Sequence, residues 1–162
     1  MTIRPQGGHL PSAPASLELD TAARLRIAIS RLSRRLGGTA AARESGLTPT
    51  AIALLLSVVR KGPTRLSELA ESEGMNPTML SRVVGGLVQA GLLRRSSDLG
   101  DRRAAWVEAT TAGRRLAERM RRERTAAVNA ALEALSESDR RQIERALPAL
   151  EALAEELKGR RP

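Results

Sequence analysis

Residues 66–111 constrain this chain more than any other segment. They hold two short helical patterns, a glycine stop and then a basic hairpin: LSELAESEGMNPTMLSRVVGGLVQAGLLRRSSDLGDRRAAWVEATT. Asn76 directly before Pro77 is a favourable N-cap, followed by a residue that needs no N–H at the first helical position. Apolar residues at Met79, Val83, Leu87 and Ala90 predict one buried stripe. Gly91 is the expected left-handed stop. Upstream, Leu66, Leu69 and Ala70 form the inner face of a shorter supporting helix, and Gly74 supplies the tight turn between the two.

The opposite face of the second helix begins with Thr78, Ser81 and Arg82, short or flexible polar groups near its N-terminus. Such groups, at that end, suit hydrogen bonding to base edges in a major groove. In the hairpin, Leu92 and Leu93 begin a strand that Arg94 and Arg95 leave. Residues 96–100 make a polar turn, Asp101-Arg102-Arg103 closes the tip, and Ala105, Val107 and Ala109 alternate back into the core. Arginines on such a tip can enter a narrow minor groove, where negative potential concentrates. A solvated hairpin whose charges only confer solubility is the bland alternative; a capped helix pair directly before it weighs against that. The expected fold is mainly α with a small β-hairpin wing: a winged helix-turn-helix head plus a helical dimerisation domain.

The stretch resembles the MarR family of bacterial transcription regulators. The resemblance is carried by Glu68-Leu69-Ala70, the helix from Pro77 to Ala90, Gly91-Leu92-Leu93-Arg94, Asp101-Arg102-Arg103, Val107 and Thr110. Its specific motifs lie in residues 66–113, and helix order extends it over about 20–157. It implies a homodimer on a near-palindromic operator. It also implies that Arg103 enters the minor groove, that Asp101 braces the wing arginines, and that Arg94, Arg95 and Arg102 hold phosphates. With Asn76, Pro77, Thr78, Ser81 and Arg82, these make the expected DNA-binding set. Two departures stand out. Ala109 replaces a larger aliphatic residue, implying a looser wing base. Gly85-Gly86 sits mid-helix at about 1 kcal/mol each relative to Ala, which requires either close backbone packing or a bend.

Charge supports a nucleic-acid partner. Net charge is +9, and Lys61 and Lys158 are the lysines, so arginine supplies the basicity. Its planar fork donates two parallel hydrogen bonds to phosphate or guanine. RNA readers stack bases on aromatics, whereas this chain has no Phe or Tyr and a single Trp, Trp106. Duplex DNA is therefore favoured. With no cysteine, disulfides, thiolate zinc sites and thiol redox switching are excluded. The one histidine, His9, lies in a Pro/Gly-rich lead, so neither a histidine metal site nor cofactor chemistry is expected. Glu155 and Glu156 are adjacent on a helix and read as surface, and no enzyme activity is expected. No apolar run reaches the roughly 20 residues of a membrane span and no signal peptide is visible. A cytoplasmic, nucleoid-associated protein is expected.

The rest of the chain predicts the dimer. Residues 1–18 form a flexible lead, and 19–160 a single MarR-like domain. Within it, 48–111 form the head, and 20–37 with 112–158 the dimerisation region. Ala22, Leu25, Ile29, Leu32 and Leu36 mark a helix ending at Gly37-Gly38, with Arg24, Arg31, Arg34 and Arg35 on its other face. Thr48-Pro49 starts a central helix that is apolar nearly all round from Ala51 to Val59, and Gly62-Pro63 stops it. Thr110 or Thr111 caps a long helix through Leu135, along which Leu116, Met120, Ala127, Val128, Ala131 and Leu135 share a side. Ser136 and Asp139 start the last helix, with Ile143, Leu147, Leu150, Leu153 and Leu157, and a kink is expected at Pro148. These apolar faces exceed what one small head covers, so they predict packing against a second copy.

Among Arg114, Arg115, Arg119, Arg121, Arg122 and Arg124, those beyond Arg119 read as a solvated face with a Glu118–Arg122 pair. Arg114 and Arg115 read as lying near an operator phosphate or a cleft. By the family resemblance that cleft holds an anionic small-molecule effector. Arg35, Arg114 and Arg115 are then its carboxylate partners, and Leu32, Leu36 and Leu54 its walls. Trp106 is out of phase with its strand neighbours and either lines the cleft or lies partly covered at the surface. Two other readings compete: a nucleoid-associated architectural protein with little sequence preference, and a protein-interaction module with an incidental basic surface.

Overall fold

The computed structural model describes residues 15–97 and 105–159. The chain divides into two compact units, with the boundary between Gly37 and Gly38. The described part of the first unit is one helix, α1 (Ala15–Gly37), which begins five residues before the expected Asp20. Ile27, Ile29 and Leu32 are exposed along it.

The second unit opens with a short helix that the sequence reading did not anticipate, α2 (Ala40–Glu44), capped by the Thr39 side chain. Next come α3 (Pro49–Lys61), β1 (Thr64–Arg65), α4 (Leu66–Glu73), α5 (Pro77–Gln89), β2 (Leu93–Ser97) and β3 (Ala105–Ala109). The long helices α6 (Thr111–Glu133) and α7 (Glu137–Gly159) complete it. Thr48 caps α3 by accepting from the Ala51 amide, and Gly62, at φ 79°, ends it. The expectation that α3 is central holds: Leu54, Leu55 and Val58 are fully buried and pack with Leu69, Leu80, Val84, Leu87, Leu93 and Val107.

The sheet has three antiparallel strands in the order β1-β3-β2, rather than a hairpin alone. β1 adds Thr64 opposite Val107 and Arg65 opposite Trp106. Two residues with no alternating pattern carry too little signal to be seen as a strand. In β3, Val107 and Ala109 face the core as expected.

Thr110 begins α6 by accepting from the Gly113 amide, and its hydroxyl also donates to the Gly91 carbonyl, 2.7 Å away. That bond ties the start of α6 to the end of α5. Gly113 is needed at this junction. A Cβ there would overlap the Leu92 carbonyl oxygen and lie 3.2 Å from Leu55 Cδ1. A smaller cluster of Ala41, Ala42 and Met120 packs α2 on α6. Ser136 caps α7, and the helix runs on through Pro148 to Gly159. Among the described residues, no helix is long and apolar enough to cross a membrane, and no acidic, His or Cys cluster could hold a metal ion.

Candidate nucleic-acid interface

The interface is built on the α4–α5 turn. Gly74 adopts the left-handed conformation, φ 62°, and the Met75 amide returns to the Ala70 carbonyl at 2.9 Å. This closes α4 and redirects the chain within two residues. Asn76 then caps α5: its Oδ1 accepts from the Thr78 amide at 2.8 Å, and Pro77 occupies the first helical position. At the far end the Leu92 amide donates to the Leu87 carbonyl and the Gly91 amide to that of Val88. With Gly91 at φ 70°, this is the left-handed stop expected there.

The buried stripe of α5 is shifted from the expected one. Leu80, Val84 and Leu87 face the core, whereas Met79 is 53% exposed, Val83 is half-buried and Ala90 is exposed. Spacings of four and three fit either set, because Met79-Leu80 and Val83-Val84 are adjacent apolar pairs; contact with α3 and α4 decides between them. The polar face is as expected. Thr78, Ser81 and Arg82 are exposed near the N-terminal end, now with Met79 between them. Gly85 and Gly86 do not serve close backbone packing, since a Cβ at either meets no atom within 4 Å.

Arg94 and Arg95 do not leave the strand as expected; both lie within β2. Arg94 pairs across the ladder with Glu108, Nε to Oε1 2.8 Å, and that hydrogen bond raises the guanidinium pKa. Arg95 Nη2 donates to the Ser81 carbonyl oxygen at 3.0 Å and to Ser81 Oγ at 3.2 Å, linking the wing to α5. On the outer strand pair, the Arg65 guanidinium lies 5.4 Å from the centre of the Trp106 ring, so the half-buried Trp106 carries a cation at the sheet surface. Sequence reasoning missed Arg65, whose position opposite Trp106 depends on the unforeseen β1. Asp101, Arg102 and Arg103 lie outside the described residues.

The arginines of α6 divide differently from the expectation. Glu118 pairs with Arg121 at 2.9 Å rather than with Arg122, and that hydrogen bond holds its carboxyl below the usual range. Arg119 reaches Glu44 of α2 at 2.6 Å and Glu123 at 3.2 Å. Glu123 in turn accepts from the Ala41 amide at 3.0 Å, which lowers its pKa. Arg119 and Glu123 therefore form a clasp on α2, while beyond Arg119 both Arg121 and Arg122 are exposed as expected. Arg114 Nη1 donates to the Ala109 carbonyl at 2.5 Å, capping β3, while Arg115 is exposed. With Arg119 and Arg122 they line an open depression of about 490 Å³.

Of the expected cleft walls, Leu54 is a correction: it is 1% exposed within the head core, because α3 is enclosed on that side. Leu32, Arg35 and Leu36 lie on α1, where Leu32 and Arg35 are exposed and Leu36 is half-buried.

A short helix, a left-handed glycine turn, a capped second helix and a three-stranded antiparallel sheet with an extended hairpin define a winged helix-turn-helix protein. Residues 47–105 match the MarR family. A proposed transcriptional regulator from Pseudomonas aeruginosa PA01 shares 31% identity over 85% of this chain and 96% of its own, with a TM-score of 0.73. RV1404 from Mycobacterium tuberculosis shares 26% identity over 88% and 97%, with a TM-score of 0.72. FabT from Streptococcus pneumoniae, solved in complex with DNA, has the same fold at 16% identity, over 86% and 95%, with a TM-score of 0.58. No curated protein matches the chain significantly. The chain belongs to the MarR family and is a DNA-binding transcriptional regulator.

Proposed function

We propose that the protein is a homodimeric repressor acting in the cytoplasm, at the nucleoid, on a near-palindromic operator. The observation that carries this reading is the exposed face of α5. Thr78, Ser81 and Arg82 stand at the capped end, and the exposed Arg82 has no partner among the described residues. Side chains at that end of a recognition helix reach base edges in the major groove, and Asn76 and Pro77 bring the backbone close to a phosphate. On the wing, Arg103 enters the minor groove, Asp101 braces it and Arg102 meets the backbone. Arg94 uses only its Nε on Glu108, so its terminal nitrogens can still face a phosphate. FabT's complex with DNA supports the same class of partner for this fold.

The dimer is inferred from apolar surface. Ile143, Leu147, Leu150, Leu153 and Leu157 repeat at three and four along α7 and all are exposed, as are Val128 and Leu135. Leaving such a stripe in water is costly at about 25 cal/mol per Å². A second copy related by a two-fold axis covers it, and sets the recognition helices about 34–36 Å apart. A small anionic ligand held through arginines such as Arg114 and Arg115 completes the proposal as a releasing effector.

Fluorescence anisotropy on the DNA upstream of its own gene, against a scrambled duplex at several salt concentrations, tests the reading. A preference of about 10³ or more, saturating at one dimer per site, is expected. Equal binding to both duplexes, with a steep salt slope, would instead favour an architectural protein. Sedimentation of Leu150→Asp should show monomers; a dimer unchanged by that substitution removes α7 from the interface. A reporter behind the operator should rise when the protein is absent.

A further inference from the structure

Arg95 lies beside the DNA-reading face, yet its geometry does not suit a phosphate clamp. It stands on β2 in register with the buried Val107, on the face of the sheet that carries Leu93 into the core. From there one terminal nitrogen, Nη2, donates to two acceptors on the same residue, the carbonyl and the hydroxyl of Ser81. The two acceptors differ in what they do. The carbonyl bond fixes the first turns of α5 against the wing strand. The hydroxyl bond occupies a lone pair of Ser81 Oγ, and its proton has no acceptor among the described residues. A serine hydroxyl ordinarily serves as donor or acceptor, turning to suit its partner. Within a helix it commonly bonds back to a carbonyl one turn earlier. Here the guanidinium takes one of the two Oγ lone pairs, and its positive charge disfavours a second donor at the other, which leaves the O–H as the favoured contact of this hydroxyl.

We infer that Arg95 is a positioning residue that sets Ser81 as a hydrogen-bond donor toward the major groove, so that Ser81 selects base edges presenting an acceptor. Guanine N7 and O6, adenine N7 and thymine O4 are such edges, whereas cytosine offers only its N4 amino donor. The inference rests on the DNA-reading role of α5, and it replaces the phosphate role that the resemblance implied for Arg95.

The test starts from the duplex that the wild-type protein selects from a random pool. Wild type, Arg95→Ala, Arg95→Lys, Ser81→Ala and the Arg95→Ala/Ser81→Ala double variant are titrated on that duplex. Each is also titrated on its single-base variants and on a scrambled duplex, across a salt series. A positioning role predicts that Arg95→Ala and Ser81→Ala each lose about three- to tenfold in preference, the worth of one ordinary hydrogen bond. The loss should fall at the same base pair, and the double variant should be no worse than either single one. Ser81→Ala should leave the salt slope unchanged, and Arg95→Ala should lower it by clearly less than the full unit of a lost phosphate contact, because only its long-range charge is removed. Arg95→Lys should behave like Arg95→Ala, since the lysine side chain is one atom shorter and its ammonium falls short of the position that Nη2 holds beside Ser81.

A phosphate contact predicts the opposite pattern: uniform weakening across sequences, a salt slope lower by about one, and rescue by lysine. That pattern, or additive losses in the double variant, overturns the inference. Thermal melts identify variants that fail to fold, and Ser81→Ala carries the test if Arg95→Ala is one of them. Absence of any preferred duplex for wild type removes sequence-specific reading itself, and this inference with it. A wild-type preference with an additive cycle removes only the role given to Arg95.

Discussion

Gly85, Gly86 and Gly113 occupy helices, and alanine at each separates backbone propensity from packing. In a helix interior alanine is favoured over glycine by about 1 kcal/mol. At Gly85 and Gly86 nothing opposes that gain, because a Cβ meets no atom within 4 Å. Gly85→Ala/Gly86→Ala should therefore gain up to about 2 kcal/mol if the two sites act independently. At Gly113 the same methyl group runs into the Leu92 carbonyl oxygen, with the carbonyl carbon at 3.0 Å. That oxygen cannot swing aside like a side-chain tip, because it also accepts from the Thr110 amide at 3.0 Å and the Thr110 hydroxyl at 3.2 Å. Overpacking costs about 1–3 kcal/mol and loosening the Thr110 cap about 1 more, against a propensity gain of at most about 1. The net loss is about 1–3 kcal/mol by the same terms. For a chain of this size each kcal/mol moves Tm by about 2–4 °C. The double variant should thus melt up to about 8 °C above wild type, and Gly113→Ala about 2–12 °C below it. Calorimetry at one fixed protein concentration reads both, since any dimer makes Tm concentration-dependent. A Gly113→Ala protein as stable as wild type would refute the α5–wing–α6 junction. A double variant that melts lower would mean that something outside the described chain approaches those glycines.

The shifted stripe on α5 has its own test. Leu80→Ala should cost about 2–5 kcal/mol of unfolding free energy, as expected for a buried leucine, whereas Met79→Ala should change stability by less than about 0.5 kcal/mol. Equal losses in denaturant titrations would restore the expected stripe. Glu73 accepts from Ser57 Oγ at 2.6 Å and from Lys61 at 3.2 Å. Burial pushes its carboxyl up, but those bonds and the nearby cations bring it below the usual range. A lowered folded pKa contributes stability above the unfolded value of about 4.3, and that stability is lost as pH falls through the folded value. Glu73→Gln should therefore flatten the acid side of a Tm-against-pH curve, and an unchanged curve would contradict the bonding. Glu108→Gln removes the negative charge that faces Arg94, so binding to scrambled DNA at low salt should strengthen; unchanged binding would mean that Arg94 does not face the duplex.

What could be read from the sequence was what is decided locally. Asn76-Pro77, Thr48-Pro49 and Thr110 announce helix starts through side chains that bond within three residues, and each was where it was expected. Gly62, Gly74 and Gly91 announce stops because the chain needs positive φ there. Phase was not legible, since Met79 and Leu80 satisfy the same period and only tertiary contact distinguishes them. Partners distant in sequence were hidden for the same reason. Arg95 is 14 residues from Ser81, and Arg119 is 75 from Glu44. The helix α2 was missed because five residues leave no periodicity to detect.

Those hidden partners change what the charge of this chain means. A net charge of +9 describes attraction to any polyanion, not the surface that grips one. Around the recognition helix, Arg94 is paired with Glu108, Arg95 is turned onto Ser81, and Arg65 lies over Trp106. On α6, Arg119 and Arg121 are paired with glutamates, and Arg114 caps a strand. Several of the arginines that make the chain basic are therefore engaged within the wing and along α6. An arginine held this way keeps its charge and still adds to long-range attraction, but its fork is no longer wholly available for phosphate. Close contact then depends on fewer side chains than the composition implies, with Arg82 foremost among the described residues because it is exposed at the reading end of α5 without an internal acceptor. Selectivity accordingly rests on the order of the head more than on its charge, and substitutions at the holding arginines should blur sequence preference before they weaken attraction to DNA.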